Sequence, residues 1–173
     1  MNELDVFEAI KKRRSIRGYK PDPIPDEFIE KIIDAARWAP SAHNAQPWEF
    51  IIINDKKLLK KLSKTHVYSG FLEGSPLAIV ACVDQNKSPN HFVEDCSAAI
   101  QNILLAATAL GLGTCWIAVY RHEDNKNESY VKEVLNIPEN FRVIALISLG
   151  YPAYVPNPPE RRDLRNLIHI NKF

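Results

Sequence analysis

"PSAHNAQPWEFIII" (residues 40–53) joins two kinds of chemistry in fourteen residues. Its second half, "WEFIII" (48–53), is short, apolar and β-branched, and predicts a buried strand. Its first half packs Ser41, His43, Asn44 and Gln46 between Pro40 and Pro47. A loop that short between two prolines is rigid. Ser, Asn and Gln carry both donors and acceptors, which suits reading the edge of a planar heterocycle. The same residue types also serve local turn bonds. Upstream, Phe28, Ile32 and Ala36, with Ile29 and Ile33, form a helical apolar face that runs to Trp38 and stops at Pro40. Helix, polar loop, then strand is the alternation of an α/β or α+β sandwich.

The alternation continues outward. "PLAIVACV" (76–83), "TCWIAVY" (114–120) and "RVIALISLG" (142–150) predict three more strands. "DKKLLKKLSK" (55–64) predicts a surface helix and "ESYVKEVLN" (128–136) a short one. A long helix from Val93 to Leu110 is apolar on almost all sides, so it belongs in a core or a subunit interface. "GLG" (111–113) follows that helix rather than a strand, and reads as its C-terminal cap rather than a dinucleotide fingerprint. Near the N-terminus, Leu4, Phe7 and Ile10 recur at helical spacing. Acidic Glu3 and Asp5 stand early and basic Lys11 to Arg14 late, as the helix dipole favours. "PDPIP" (21–25) is a stiff connector whose Pro25 starts the next helix. The Pro- and Arg-rich tail 152–165 leads to "NLIHI" (166–170), a candidate last strand. An extended tail of this kind suits a chain that wraps a partner, which points to a dimer.

With 22 basic and 21 acidic residues, net charge +1, the chain has no overall field for polyanions, which argues against a dedicated nucleic-acid binder. Hydrophobic residues at 46% and charged residues at 25% are ordinary globular usage. Cys82, Cys96 and Cys115 match no paired or zinc spacing and read as free thiols in a reducing cytoplasm. No apolar core precedes the first charges, and the apolar stretch 98–112 is shorter than the ~20 residues that span a bilayer, so no membrane is expected. The five histidines are scattered, so no metal site is expected.

Against that neutral background, "KKRRSIRGY" (11–19) concentrates positive charge. Lys11 and Lys12 read as solvated helix-end charges. Arg13, Arg14 and Arg17 offer planar forks suited to bidentate contact with a phosphate, and Ser15 adds a short donor. "PERRDLR" (159–165) supplies a second arginine pair, Arg161 and Arg162.

"RRSIRGYKPDPIP", "AARWAPSAHNAQPWEFIII", "AAIQNILLAATALGLGTCWIA", "LISLGYP" and "RRDLRNLIHINKF", in this order, resemble the nitroreductase family of flavin-dependent oxidoreductases over nearly the whole chain. The resemblance implies an α+β fold: a three-layer sandwich whose central, mostly antiparallel sheet is flanked by helices. It implies one domain over residues 1–173 in an intertwined homodimer, with 151–173 an extended tail reaching the partner subunit. It implies tightly bound FMN at the subunit interface. Arg13, Arg14, Ser15 and Arg17 would hold its phosphate, ribityl chain and pyrimidine edge, and Arg161 and Arg162 would complete the phosphate site. Ser41, Asn44 and Gln46 of the other subunit would line the isoalloxazine, and Cys115, Trp116 and Ile117 would pass along it, partly by backbone.

The implied activity is hydride transfer from NAD(P)H through FMN to a nitroaromatic, quinone or similar planar acceptor, in ping-pong order. The flavin carries that chemistry, and the protein orients it and supplies electrostatics. Arg17 or Arg14 would stabilise charge developing on the pyrimidine side. No side-chain acid, base or nucleophile is needed. Alternatives within the fold are dehalogenation, flavin fragmentation and alkene reduction; a non-catalytic FMN-binding module is the alternative outside catalysis. Two departures stand out: the chain is short for the family, and Ala118 stands where a glycine is usual. Segments 66–74 and 121–130 are the variable, lid-like parts, where substrate choice should lie.

Overall fold

The computed structural model describes residues 4–173, so Glu3, expected at the acidic start of the first helix, lies outside the described residues. Five helices and four strands follow in the order α1 (Val6–Lys12), α2 (Asp26–Arg37), β1 (Trp48–Ile53), α3 (Lys56–Leu62), β2 (Leu77–Asp84), α4 (Phe92–Ala109), β3 (Gly113–Ala118), α5 (Lys126–Leu135) and β4 (Phe141–Gly150). The strands form one antiparallel sheet in the order β1-β2-β4-β3.

Local chemistry sets the helix limits. Asp5 accepts from the backbone of Phe7 and Glu8 to start α1, and Asp55 accepts from Leu58 to start α3. Pro25 immediately precedes α2, with Asp26 and Glu27 in its first turn. At the end of α4, the Leu112 N–H donates to the Ala107 carbonyl at 2.8 Å and the Gly111 N–H to Thr108 at 3.1 Å. Gly111 has φ 76°, the left-handed conformation such a stop demands and glycine adopts without strain.

The period of two along β2 divides the core. Leu77, Ile79, Ala81 and Val83 face α2 and α4, packing with Phe28, Ile32, Cys96, Ile100 and Ile103. Ala78, Val80 and Cys82 face the other way, onto Leu59 and Leu62 of α3 and Val131 of α5. The sheet is thus the middle of three layers. Near the centre of β4 the register against β2 slips at Ala81/Cys82, leaving Ile144 as an extra residue. The Ile144 carbonyl accepts from both Val119 and Tyr120, which ends β3 at Ala118, two residues short of the sequence expectation.

Three expectations are corrected. The strand 48–53 is not buried throughout: β1 is a sheet edge, with Trp48 and Ile53 buried but Glu49 and Ile52 exposed. Having one hydrogen-bonded neighbour, it leaves part of its isoleucine run in contact with solvent. The apolar face of α2 ends at Ala36; Trp38, 74% exposed, lies beyond the last turn with the Arg37 guanidinium 5.4 Å from its ring centroid. Residues 166–170 form no strand. Leu164–Asn166 make a single 3₁₀ turn, and every residue from 157 onward is exposed, since no sheet edge of this chain receives them. Among the described residues, no helix is long and apolar enough to cross a membrane.

Candidate functional site

Past Arg13, which closes α1, the chain runs along the outer edge of β3. Ser15 forms a parallel bridge with Thr114, and the Ile16 N–H donates to the Thr114 carbonyl at 2.8 Å. Ile16 is 3% exposed and lies flat on Gly113: a Cβ there would stand 2.6 Å from Ile16 Cγ1. Only glycine permits that approach. The Tyr19 hydroxyl donates to the Ile16 carbonyl at 2.7 Å, so its oxygen is left to accept from Ser148 Oγ. Burial pushes the Tyr19 phenol far above its ordinary range, which keeps that donor protonated. Farther along, Lys20 N–H to Tyr151 and the Tyr19–Pro152 bridge pin the segment a second time.

This clamp collects the predicted residues at Cys115. Burial raises the thiol, while the nearby Arg17 charge, then the neighbouring Ser15 hydroxyl and the Arg13 charge, pull it back. Arg17 lies 5.8 Å from the Phe71 ring centroid. A cavity of about 250 Å³ opens beside Arg17, Cys115, Trp116 and Ile117, with Tyr68 and Phe71 on its wall. Among the described residues, neither Arg13 nor Arg17 forms an ion pair, so their charge is uncompensated. Arg14 behaves differently. Its Nη1 donates to the carbonyls of Lys11 and Arg13 at 2.7 and 2.8 Å, capping α1. Its Nε is buried without a partner, as is Thr114 Oγ1 across the same bridge.

The loop before β1 is built under strain. His43, Asn44 and Gln46 have φ of 52°, 55° and 46°, three left-handed non-glycine residues within four positions. Each such residue costs on the order of 1 kcal/mol. Compensation comes from fixed hydrogen bonds. The Gln46 N–H donates to Ser41 Oγ at 3.0 Å, and Gln46 Nε2 to the Asn44 carbonyl at 3.3 Å. The Ala42 N–H donates to Asp95 Oδ1 at 2.9 Å, and the Ser88 hydroxyl to Asp95 Oδ2 at 2.7 Å. Asp95, only 5% exposed, thus anchors the loop to α4 from inside. Ser41 is half-buried, while Asn44 and Gln46 are exposed.

These two clusters do not meet within one chain. β1 and β3 are opposite edges of the sheet, three strand spacings or roughly 14 Å apart. They also sit at opposite ends: Trp48 pairs with Val83, whereas Thr114 pairs with Leu149, which faces Leu77 at the other end of β2. Arg161 and Arg162 lie in the exposed tail, donating to the carbonyls of Glu160 and Asn166. Exposed apolar side chains accompany this separation: Phe7 (71%) and Ile10 on α1, and Leu167, Ile168 and Ile170 on the tail.

A model of the nitroreductase family matches residues 10–66 and 63–151, which takes in the clamp, the strained loop and all four strands. The chain belongs to the nitroreductase family. It is 42% identical over 175 residues to a protein of Methanothermobacter thermautotrophicus provisionally named NADH dehydrogenase/NAD(P)H nitroreductase, covering 100% of this chain and 90% of the relative. The crystal structure of a likewise provisionally named protein from Parabacteroides distasonis superposes with a TM-score of 0.92 at 37% identity, over 99% of this chain and 100% of that one. An FMN-dependent nitroreductase from Clostridium difficile superposes with a TM-score of 0.88 at 38% identity, over 96% and 99%.

For a nitroreductase-family chain, the residues that sequence reasoning missed are structural anchors. Asp95 lies in the first turn of α4, where an acid also suits the helix dipole. Yet it stands four residues before Ala99 on the buried stripe, and an acid on an apolar stripe signals a buried acceptor role. Tyr19 and Ser148 carried no local signal, because 129 residues separate them. Glu128 is 2% exposed and accepts from Arg142 through both oxygens, at 2.8 and 2.7 Å, and from the Val143 N–H at 2.9 Å. Every lone pair it needs is engaged, so this pair anchors α5 to β4 rather than serving chemistry.

Proposed function

We propose that this nitroreductase-family chain is an FMN-dependent NAD(P)H oxidoreductase whose flavin site is shared between two copies. The observation that carries the reading is the clamp on β3: two uncompensated arginines and a serine hydroxyl held beside the 115–117 backbone by Ile16 on Gly113. The fit to FMN is chemical. The ligand brings a dianionic phosphate and a planar ring, and the site brings charged planar donors beside an aromatic-walled cavity.

Bound FMN would accept hydride from NAD(P)H and pass reducing equivalents to a nitroaromatic, quinone or similar planar acceptor. The chain's own residues bind and orient. Arg13, Ser15 and Arg17 hold the phosphate side and pyrimidine edge, and Arg17, at the cavity, favours negative charge developing there. Arg14 holds the end of α1 in place, so its contribution is to position Arg13 and Ser15. Ser41, Asn44 and Gln46 would reach the ring from the second copy, a reading supported by their place on the opposite edge of the sheet. The tail would cross to that copy, burying its apolar residues and carrying Arg161 and Arg162 to the phosphate. Ping-pong turnover follows if donor and acceptor use the same cavity in turn. The three buried, unpaired thiols suit a reducing compartment, the cytoplasm.

The test is the visible spectrum of the purified protein, followed by anaerobic titration with NADH or NADPH. A flavin spectrum that bleaches with one equivalent of reductant and returns on adding an acceptor is the expected result. Protein that stays colourless after incubation with FMN contradicts the proposal.

A further inference from the structure

The cavity beside the clamp continues into a larger one. The two share His66 and Arg121, and the second is a broad, open groove of about 620 Å³ between the end of α3 and the start of α5. Three cations reach it: Lys64, Arg121 and Lys126, with Arg17 in the adjoining cavity. Among the described residues none of these four forms an ion pair. Asp124, the cavity's one carboxylate, spends Oδ1 on the Lys126 N–H at 2.9 Å. Lys12, Lys60, Lys87, Lys132, Arg37, Arg142 and Arg165 sit against acids elsewhere on this chain, whereas the four cations along these two cavities do not.

His66 adds a neutral donor. Its Nδ1 accepts from the Tyr68 N–H at 3.0 Å, which places the ring proton on Nε2. Burial, and then the nearby Arg121 charge, hold the imidazole below its ordinary range. Val67 and Tyr68, 88% and 81% exposed, provide apolar surface next to it. An apolar shelf rimmed by cations suits a flat molecule that carries a negative group at one end.

We propose that this His66–Arg121 pocket recognises an oxyanion, a carboxylate or phosphate, on the planar substrate that stacks at the flavin, and that Arg121 is the residue that sets this preference. The inference rests on the flavin reading and names the substrate class for that site. The oxyanion can belong to the acceptor or to the reductant's phosphates, and kinetics separates the two.

The experiment compares 4-nitrobenzoate with 4-nitrobenzamide as acceptors, at fixed NADH and then fixed NADPH, in the flavin-loaded wild type, Arg121→Gln and Arg121→Lys. Arg121 is exposed, so loss of fold is not expected, and the lysine variant keeps the charge. The ratio of kcat/KM for nitrobenzoate to that for nitrobenzamide should fall about tenfold in Arg121→Gln, the loss expected for one charge-assisted contact, and far less in Arg121→Lys. An unchanged acceptor ratio with a raised KM for the reductant supports the pocket and assigns its oxyanion to the nicotinamide nucleotide. Flavin-loaded enzyme in which Arg121→Gln changes neither quantity overturns this inference alone. Protein that takes up no FMN overturns it together with the flavin reading.

Discussion

The two edges of the sheet are made rigid by opposite means. At β3, the backbone is relaxed and the clamp comes from close packing: Ile16 lies on Gly113, and Tyr19 ties the segment to Ser148. At β1, the backbone is strained at His43, Asn44 and Gln46, and one buried carboxylate, Asp95, holds it. The first edge presents charge, the second neutral amides and a hydroxyl. Each is fixed in advance of any ligand, and each is, on the function proposed above, half of a flavin site. Preorganised halves at opposite corners of one chain make sense if a second copy brings them together.

The comparison can be broken most severely at the charged edge. Arg13→Ala with Arg17→Ala should weaken FMN binding about 100-fold or more, at the usual strength of charge-assisted hydrogen bonds. Thermal stability without flavin should hardly change, because neither arginine has an ionic partner among the described residues. Equilibrium dialysis with FMN and apo-protein melting curves check both halves.

Asp95→Ala attacks the other edge. It orphans the Ala42 N–H and the Ser88 hydroxyl, so a destabilisation of about 3 kcal/mol is expected in urea unfolding, together with weaker flavin binding. Asp95→Asn keeps an acceptor for Ala42 and should cost less than half as much. Equal losses in both variants would mean the carboxylate's charge, not its geometry, holds the loop.

Gly113→Ala tests the packing clamp. The added Cβ meets Ile16 Cγ1 at 2.6 Å and its Cβ at 2.8 Å, neither of them the far end of a flexible chain. Overpacking of this kind costs about 2 kcal/mol, and flavin should be lost with it as segment 14–17 lifts from β3.

The smallest effect sharpens the strain argument. Gln46→Gly removes a side chain from a left-handed position, φ 46°, so the apo-protein should gain up to about 1 kcal/mol while FMN affinity falls severalfold. A loss of apo-stability would show that the Gln46 side chain, not the backbone, dominates there.

Much of the sheet was legible because apolar runs and their turn residues are local signals. The end of α4 was legible for the same reason, since Gly111 alone announces the left-handed stop. The exposure of β1 was not, because "WEFIII" looks the same at an edge and at a centre; only the neighbour on one side decides. The tail misled for a related reason: "NLIHI" has strand-forming residues but pairs with no strand of its own chain. In the site, residue types pointed to phosphate and heterocycle chemistry, but not to the division of labour. Nothing in "RRSIR" distinguishes Arg14, spent on the carbonyls of Lys11 and Arg13, from Arg13 and Arg17, whose charge stays free. Nor does the sequence show that Asp95 reaches back 53 residues to the loop.

A site shared between copies has one direct test. Arg13→Ala/Arg17→Ala protein and Asn44→Ala/Gln46→Ala protein are each purified, mixed, unfolded together and refolded, and FMN bound per chain is measured. If each flavin takes one edge from each copy, mixed dimers regain one intact site, and random pairing should restore about one quarter of wild-type flavin binding from two parents that bind little. If the mixture binds no more FMN than its parents do separately, the two edges do not complete one another across a dimer, and the shared site is contradicted.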